Sequence, residues 1–282
     1  AVVEATAGYV PKEGFFVVLA RQMSLPEADK IQAFAEGVDL DPYSARQRLR
    51  TPCPRFLRRY ETREGADQWV AWLRELNIDA FVLPEETMWL FRPLTVKALE
   101  WSGEVAVLVI EDGKAIRIGP ADVLCLVSGD IHHKVYSETV QHERLMGQRL
   151  SHPELLSGTV ARIVDLHLVK ERLTFRIGQD SIEFGRMFPD TTEGTGTLLN
   201  LVMRELGSVF AEAPHYREFG KAADALGASW NLVSQSTDVT FGAGGGGQAF
   251  RFNISSTRVM EEGDAQAFDL YSLLSRAEAL RG

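Results

Sequence analysis

The sequence predicts an α+β protein: a βααβαβ unit at the start, then a β-rich antiparallel module with accessory helices. Three observations carry that expectation. Between residues 15 and 84, short β-branched and aromatic runs alternate with segments of helical apolar spacing. From residue 104 apolar runs follow one another, broken only by turn residues. Beyond residue 194 helical spacing returns, interrupted by one glycine-rich hairpin pattern. The chain accordingly divides into 1–86, 87–192 and 193–282, comfortable for a length of 282 when domains run to ~100–150 residues. No repeat of fixed period links the parts.

The first unit reads most clearly. After a lead-in over 1–13, Phe15-Phe16-Val17-Val18-Leu19-Ala20 is a buried strand. Ser24-Leu25-Pro26-Glu27 opens a helix, with Ser24 as N-cap and Pro26 in the first turn. Ile31, Phe34 and Ala35 are its inner face, and Gly37 ends it. Asp41-Pro42 starts a second helix through Leu49, which Pro52 and Pro54 stop. Arg55 to Tyr60 is a strand with a charged outer side. Thr62 caps a third helix, where Ala66, Trp69, Val70, Leu73 and Leu76 form one stripe. Ala80-Phe81-Val82-Leu83 closes the unit as a strand.

Residues 87–102 carry Trp89, Phe91 and Trp101 without a helical stripe, and read as a linker docked on a neighbour. Val105–Ile110 and Ala115–Gly119 flank Asp112-Gly113, a hairpin signal. Strands are expected over Asp122–Val127, Ile131–Tyr136, Val160–Leu168, Leu173–Ile177 and Ser181–Phe184. Together they suggest a meander of about six to seven strands, a small sheet or partial barrel. Helices follow over Thr197–Phe210 and Tyr216–Leu226. Strands over Asp238–Phe241 and Ala249–Ile254 surround the glycines of 242–247, and a last helix spans Asp264–Leu280.

Composition narrows the function classes. Hydrophobic residues at 45% and charged ones at 24% support real cores, while the net charge of −9 argues against coating nucleic acid. Two cysteines, Cys53 in a proline-flanked turn and Cys125 in an apolar run, make neither a disulfide framework nor a zinc site. No apolar stretch approaches the ~18–20 residues of a membrane span. The first twenty residues lack a basic region followed by an apolar core, so a retained signal peptide is not expected and the cytoplasm is the default.

Candidate chemistry is sparse. The glycines of 242–247 lead into a strand pattern, whereas a phosphate cradle needs a following helix and its lysine. Gly194-Thr195-Gly196-Thr197 precedes a helix but also lacks the lysine, and reads as a loop with a threonine cap. His132 and His133 are adjacent and cannot chelate one metal from a strand, and His142-Glu143 lacks a second histidine four residues on. Asp165 and His167 share a strand face and are expected to be an exposed pair that could orient an imidazole. There is no Gly-x-Ser-x-Gly elbow. No metal or cofactor is expected.

One segment departs from the acidic average. Residues 46–74 hold Arg46, Arg48, Arg50, Arg55, Arg58, Arg59, Arg63 and Arg74 against Glu61, Glu64 and Asp67, a local charge of +5. Arginine without lysine favours bidentate contact with carboxylate or phosphate. A solvated face with internal ion pairs would look the same in sequence.

Residues 15–84 resemble the C-terminal domain of the bacterial ribosomal stalk protein, whose βααβαβ fold is shared with the adaptor of the Clp protease. The residues carrying the resemblance are Ala45-Arg46, Pro54, Leu57-Arg58, Thr62-Arg63-Glu64-Gly65-Ala66, Leu73-Arg74-Glu75-Leu76-Asn77 and Ala80-Phe81-Val82-Leu83. In the stalk family the second-helix face recruits translation factors, so the resemblance implies a protein-docking role for Arg46. The adaptor's degron-binding Asn-Asp motif is replaced here by Arg21-Gln22-Met23-Ser24, and residues 87–282 have no counterpart in either family.

These readings together lead to a non-enzymatic interaction, regulatory or accessory protein. It would dock an acidic protein partner through Arg46, Arg48, Arg50, Arg55, Arg58, Arg59 and Arg63, assisted by the aromatics of 89–101. Two alternatives stand beside it: an enzyme or enzyme subunit with a small-molecule site between the β-rich module and the later helices, or a structural subunit of a large assembly.

Overall fold

The structure, a computed structural model, describes residues 14–22, 24–50, 53–142, 149–170, 173–227, 235–239 and 254–281. It is an α+β fold. Its first elements are β1 (Phe15–Leu19), α1 (Ala28–Gly37), α2 (Pro42–Leu49), β2 (Arg55–Tyr60), α3 (Arg63–Glu75) and β3 (Ala80–Pro84). The three strands form an antiparallel sheet in the order β2-β1-β3. Alternation along β1 sends its side chains to two cores. Val17 and Leu19 meet Ile31, Phe34, Ala45, Leu49, Ala66 and Leu73 from the three helices. Val18 belongs with Phe56, Phe81 and Leu83 to the other core.

Caps account for the helix starts. The Asp41 carboxylate accepts from the backbone N–H groups of Tyr43 and Ser44, with Pro42 in the first turn of α2. The Thr62 hydroxyl accepts from Gly65 N–H at the start of α3, and Asn77 closes that helix at φ 59°. The expected start of α1 at Ser24 is corrected to Ala28, with Glu27 in the cap position. Pro26 disfavours helical backbone at the residue before it, which delays the first turn.

The remaining elements are α4 (Glu86–Trp89), β4 (Leu94–Ser102), β5 (Val105–Ile110), β6 (Ala115–Ile118), β7 (Val123–His142), β8 (Arg149–Leu168), β9 (Thr174–Gly178), α5 (Phe184–Met187) and α6 (Thr195–Val209). They continue with β10 (His215–Tyr216), α7 (Phe219–Gly227), β11 (Gln235–Val239), β12 (Ile254–Gly263) and α8 (Ala265–Ala279). One nine-stranded sheet runs β11-β12-β7-β8-β9-β4-β5-β6, with β10 added beside β7. The β4–β9 and β10–β7 pairs are parallel and the others antiparallel.

Several expectations change here. Residues 94–102 are a strand that pairs with β5 rather than a linker. The two strands expected around Ser128-Gly129-Asp130 are one, β7, whose partner β8 starts eleven residues before the expected Val160. Continuous pairing with β8 carries the backbone through those turn-like residues. The stretch Ser181–Phe184 is a turn leading into α5, and His215–Tyr216 pair with β7 before α7 begins at Phe219. The glycines of 242–247 lie outside the described residues.

Helix α8 organises the second core. Ala267, Phe268, Leu270, Tyr271, Ser272, Leu273, Leu274, Ser275 and Arg276 are all buried, so the helix is enclosed around most of its circumference. Its apolar residues share a core with Val18, Phe56, Phe81 and Leu83 of the first sheet and Cys125, Val127 and Ile131 of β7. Polar clasps reinforce the seam. Arg21 forms an ion pair with Glu278 at 2.5 Å and lies over the Tyr216 ring at 3.9 Å, while Arg281 meets Asp79 at 2.7 Å. A separate core joins the large sheet to α6 through Leu198, Leu199, Val202 and Leu206. Among the described residues no helix is long and apolar enough to cross a membrane.

Candidate functional site

The seven arginines singled out in the sequence fall into four arrangements. Arg46 on α2 and Arg50, the residue that caps its C-terminus, are exposed, and they continue the face of Tyr43, itself 71% exposed. Neither meets a carboxylate among the described residues. Arg48 and Arg55 are half-buried in the seam between α2 and β2, where Arg48 Nη2 donates to the Phe56 carbonyl at 3.4 Å. Burial pulls both guanidinium pKa values down, and the Arg48 charge adds to the effect at Arg55. Arg59 and Arg63 are engaged with acids. Arg59 donates from Nε and Nη2 to Glu85 Oε2 at 3.0 and 2.7 Å, and Arg63 pairs with Asp67 one turn along α3 at 3.4 Å.

Arg58 stands apart. It is exposed, with its guanidinium 5.6 Å from the Tyr60 ring centroid and 5.6 Å from that of Trp69. The aromatics expected to assist are divided. Trp89 is 41% exposed and the neighbouring Leu90 69%, whereas Phe91 is half-buried with its ring 6.2 Å from that of His167.

The expected exposed pair Asp165 and His167 is corrected: both are at 0% exposure. The large sheet covers them on one side and α8 on the other, and a surface alternation in β8 cannot reveal that second layer. Asp165 accepts from Arg176 Nε and Nη2, each at 2.7 Å, and from the Ser272 hydroxyl at 2.6 Å. Arg176 also pairs with Asp269 at 2.7 Å. Burial alone would lower the Arg176 pKa, but its bonds to Asp165 and Asp269 hold it above the ordinary value.

The hydrogen-bond directions decide what this cluster can do. Ser272 has one proton and donates it to Asp165, so its oxygen must accept from His167 Nε2–H across 3.0 Å. His167 Nδ1 then accepts from the Thr174 hydroxyl at 2.8 Å. A general base that activates serine needs the opposite polarity, with Nε2 accepting the serine proton. Burial drives the His167 pKa down to about 4, so the ring is neutral at pH 7.

A second Ser–His contact repeats the reversal. His215 Nδ1 accepts from Arg217 Nε at 2.9 Å and Nη2 at 2.8 Å, and arginine can only donate. The proton therefore sits on Nε2, which donates to Ser128 Oγ at 3.1 Å. Burial, followed by the Arg217 charge, lowers the His215 pKa to about 4. Neither histidine is arranged to deprotonate its serine.

The thiols are equally quiet. Cys53 and Cys125 are both buried, and burial pushes them up to about 11 and about 12. Among the described residues no group of three or more His, Cys, Asp or Glu could hold a metal ion. An open groove of about 460 Å³ lies between β4 and α6, walled by Leu99, Trp101, Met187, Phe188, Leu201 and Val202, with Arg204 and Glu205 at its rim. Comparisons of the chain with protein families, curated proteins and solved structures return no match.

Sequence reasoning missed Tyr43, although Tyr43, Arg46 and Arg50 at i, i+3 and i+7 after a capped Pro42 were legible as one helical face. It also missed Ser272, Thr174 and Arg176 around Asp165. Ser272 is 107 residues from Asp165, and no local pattern joins them.

Proposed function

We propose that this chain is a protein-docking component, regulatory or accessory to a larger system, that receives an acidic surface of a protein partner on the outer face of α2. The observation that carries the reading is the pair Arg46 and Arg50, exposed beside Tyr43 and met by no carboxylate among the described residues. Guanidinium forks match carboxylates bidentately, and Tyr and Arg are the residue types enriched where protein interfaces concentrate their affinity. The chain's net charge of −9 opposes a polyphosphate partner on the same face. Two free, buried thiols fit a reducing compartment such as the cytoplasm.

Charge reversal tests the reading. The double variant Arg46→Glu, Arg50→Glu is expected to lose a partner that the native chain retains from a lysate of its source cells at low salt. Raising the salt should weaken native capture, since exposed ion contacts are screened. Equal recovery by the variant would remove the α2 face from the proposal.

A further inference from the structure

The docking reading rests on α2, and β2 of the same unit supplies a further exposed arginine. Arg59 on that strand is held by Glu85, but Arg58 meets no carboxylate among the described residues. Its guanidinium instead rests over Tyr60 and Trp69, both half-buried and 6.2 Å apart. Trp69 is braced edge-on by Trp72 at 4.9 Å and 79°. Trp72 in turn packs over Gly37, where any Cβ would overlap its ring. Elements β2, α3 and the end of α1 thus build one aromatic shelf under an exposed cation.

That shelf matters for binding. A guanidinium held 5.6 Å from two ring centroids has less rotamer freedom to lose when an acceptor arrives, so more of the contact energy survives as affinity. Two partly desolvated aromatics under an arginine are the ingredients of an interface hot spot. The other exposed ion pairs of this segment, such as Arg63 with Asp67, would have to break before they could serve a partner.

We propose that Arg58, carried on Tyr60 and Trp69, is the seat for one carboxylate of the acidic partner and the residue that dominates its specificity. The inference rests on the docking reading. The planar, two-oxygen acceptor of an Asp or Glu side chain complements the guanidinium fork, and lysine would retain the charge while losing both stack and fork.

The test uses the full chain with a short poly-glutamate peptide as probe, titrated by calorimetry, and a single-stranded oligothymidylate in parallel. The native chain should bind the peptide saturably, Arg58→Lys about tenfold more weakly, and Trp69→Leu with a comparable loss. Arg117→Lys, on the exposed and remote β6, should match the native chain. Thermal melts confirm that Arg58→Lys is folded. Binding by Arg58→Lys within about twofold of native, or oligothymidylate preferred over peptide, would overturn the seat. Loss of peptide binding in Arg46→Glu, Arg50→Glu with Arg58→Lys unaffected would retain the docking face and remove Arg58 from it. No saturable peptide binding at all would overturn the seat together with the docking reading.

Discussion

Two polar clusters in this molecule are built from the same kinds of side chain and arranged for opposite ends. Around Asp165, Arg176, Ser272, His167 and Thr174 form a chain of bonds between the large sheet and α8. On α2, Arg46 and Arg50 stand beside an exposed Tyr43 with no acid committed to them among the described residues. The first cluster spends its polarity on fastening one layer to another. The second keeps its polarity available. A histidine beside a carboxylate in sequence therefore indicated cohesion here, while an arginine run that could have been mere solvation includes an open face.

The largest expected effect lies in the closed cluster. Asp165→Ala would leave the half-buried Arg176 with Asp269 as its remaining acid and the Ser272 hydroxyl without its acceptor, and should lower the unfolding free energy by about 3 kcal/mol in denaturant titration. A loss below about 1 kcal/mol would show that the cluster does not fasten α8. Ser272→Ala removes the hydroxyl shared by Asp165 and His167 and should lower stability by about 1–3 kcal/mol.

His167 gives the cluster a pH signature. Its pKa of about 4 lies below the usual value near ~6.5, so the unfolded chain binds the extra proton between those limits. Stability from this group is complete above about pH 6.5 and is lost as pH falls toward about 4. His167→Gln keeps a donor and an acceptor without a titrating proton. Its stability curve over that window should be flatter than native by up to ~1.4 kcal/mol per pH unit, read from unfolding at a series of pH values. Parallel curves would mean that His167 is not neutral in the fold.

The smallest stability effect belongs to the open face. Arg46→Glu with Arg50→Glu should change unfolding free energy by no more than about 0.5 kcal/mol, because neither side chain is buried and neither is paired among the described residues. The same variant is expected to lose partner binding. A destabilisation of about 2 kcal/mol or more would place these arginines among the fastening residues and erase the contrast.

Sequence periodicity and caps determined much on their own. The strand at 15–20, the capped starts at Asp41 and Thr62, the Asp112-Gly113 hairpin and the helical stripe of 198–206 all follow from local spacing, because a helix or strand must turn its apolar residues to one side. What lies on that side is a long-range matter. Only tertiary structure decided that α8, some 250 residues along the chain, covers the second face of β1, that β8 is backed so that Asp165 and His167 are sealed, and that Arg59 finds Glu85 while Arg58, among the described residues, meets Tyr60 and Trp69 and no carboxylate. Local patterns report that a surface is apolar or charged. They do not name the partner, because the partner is chosen by packing between segments with no spacing in common.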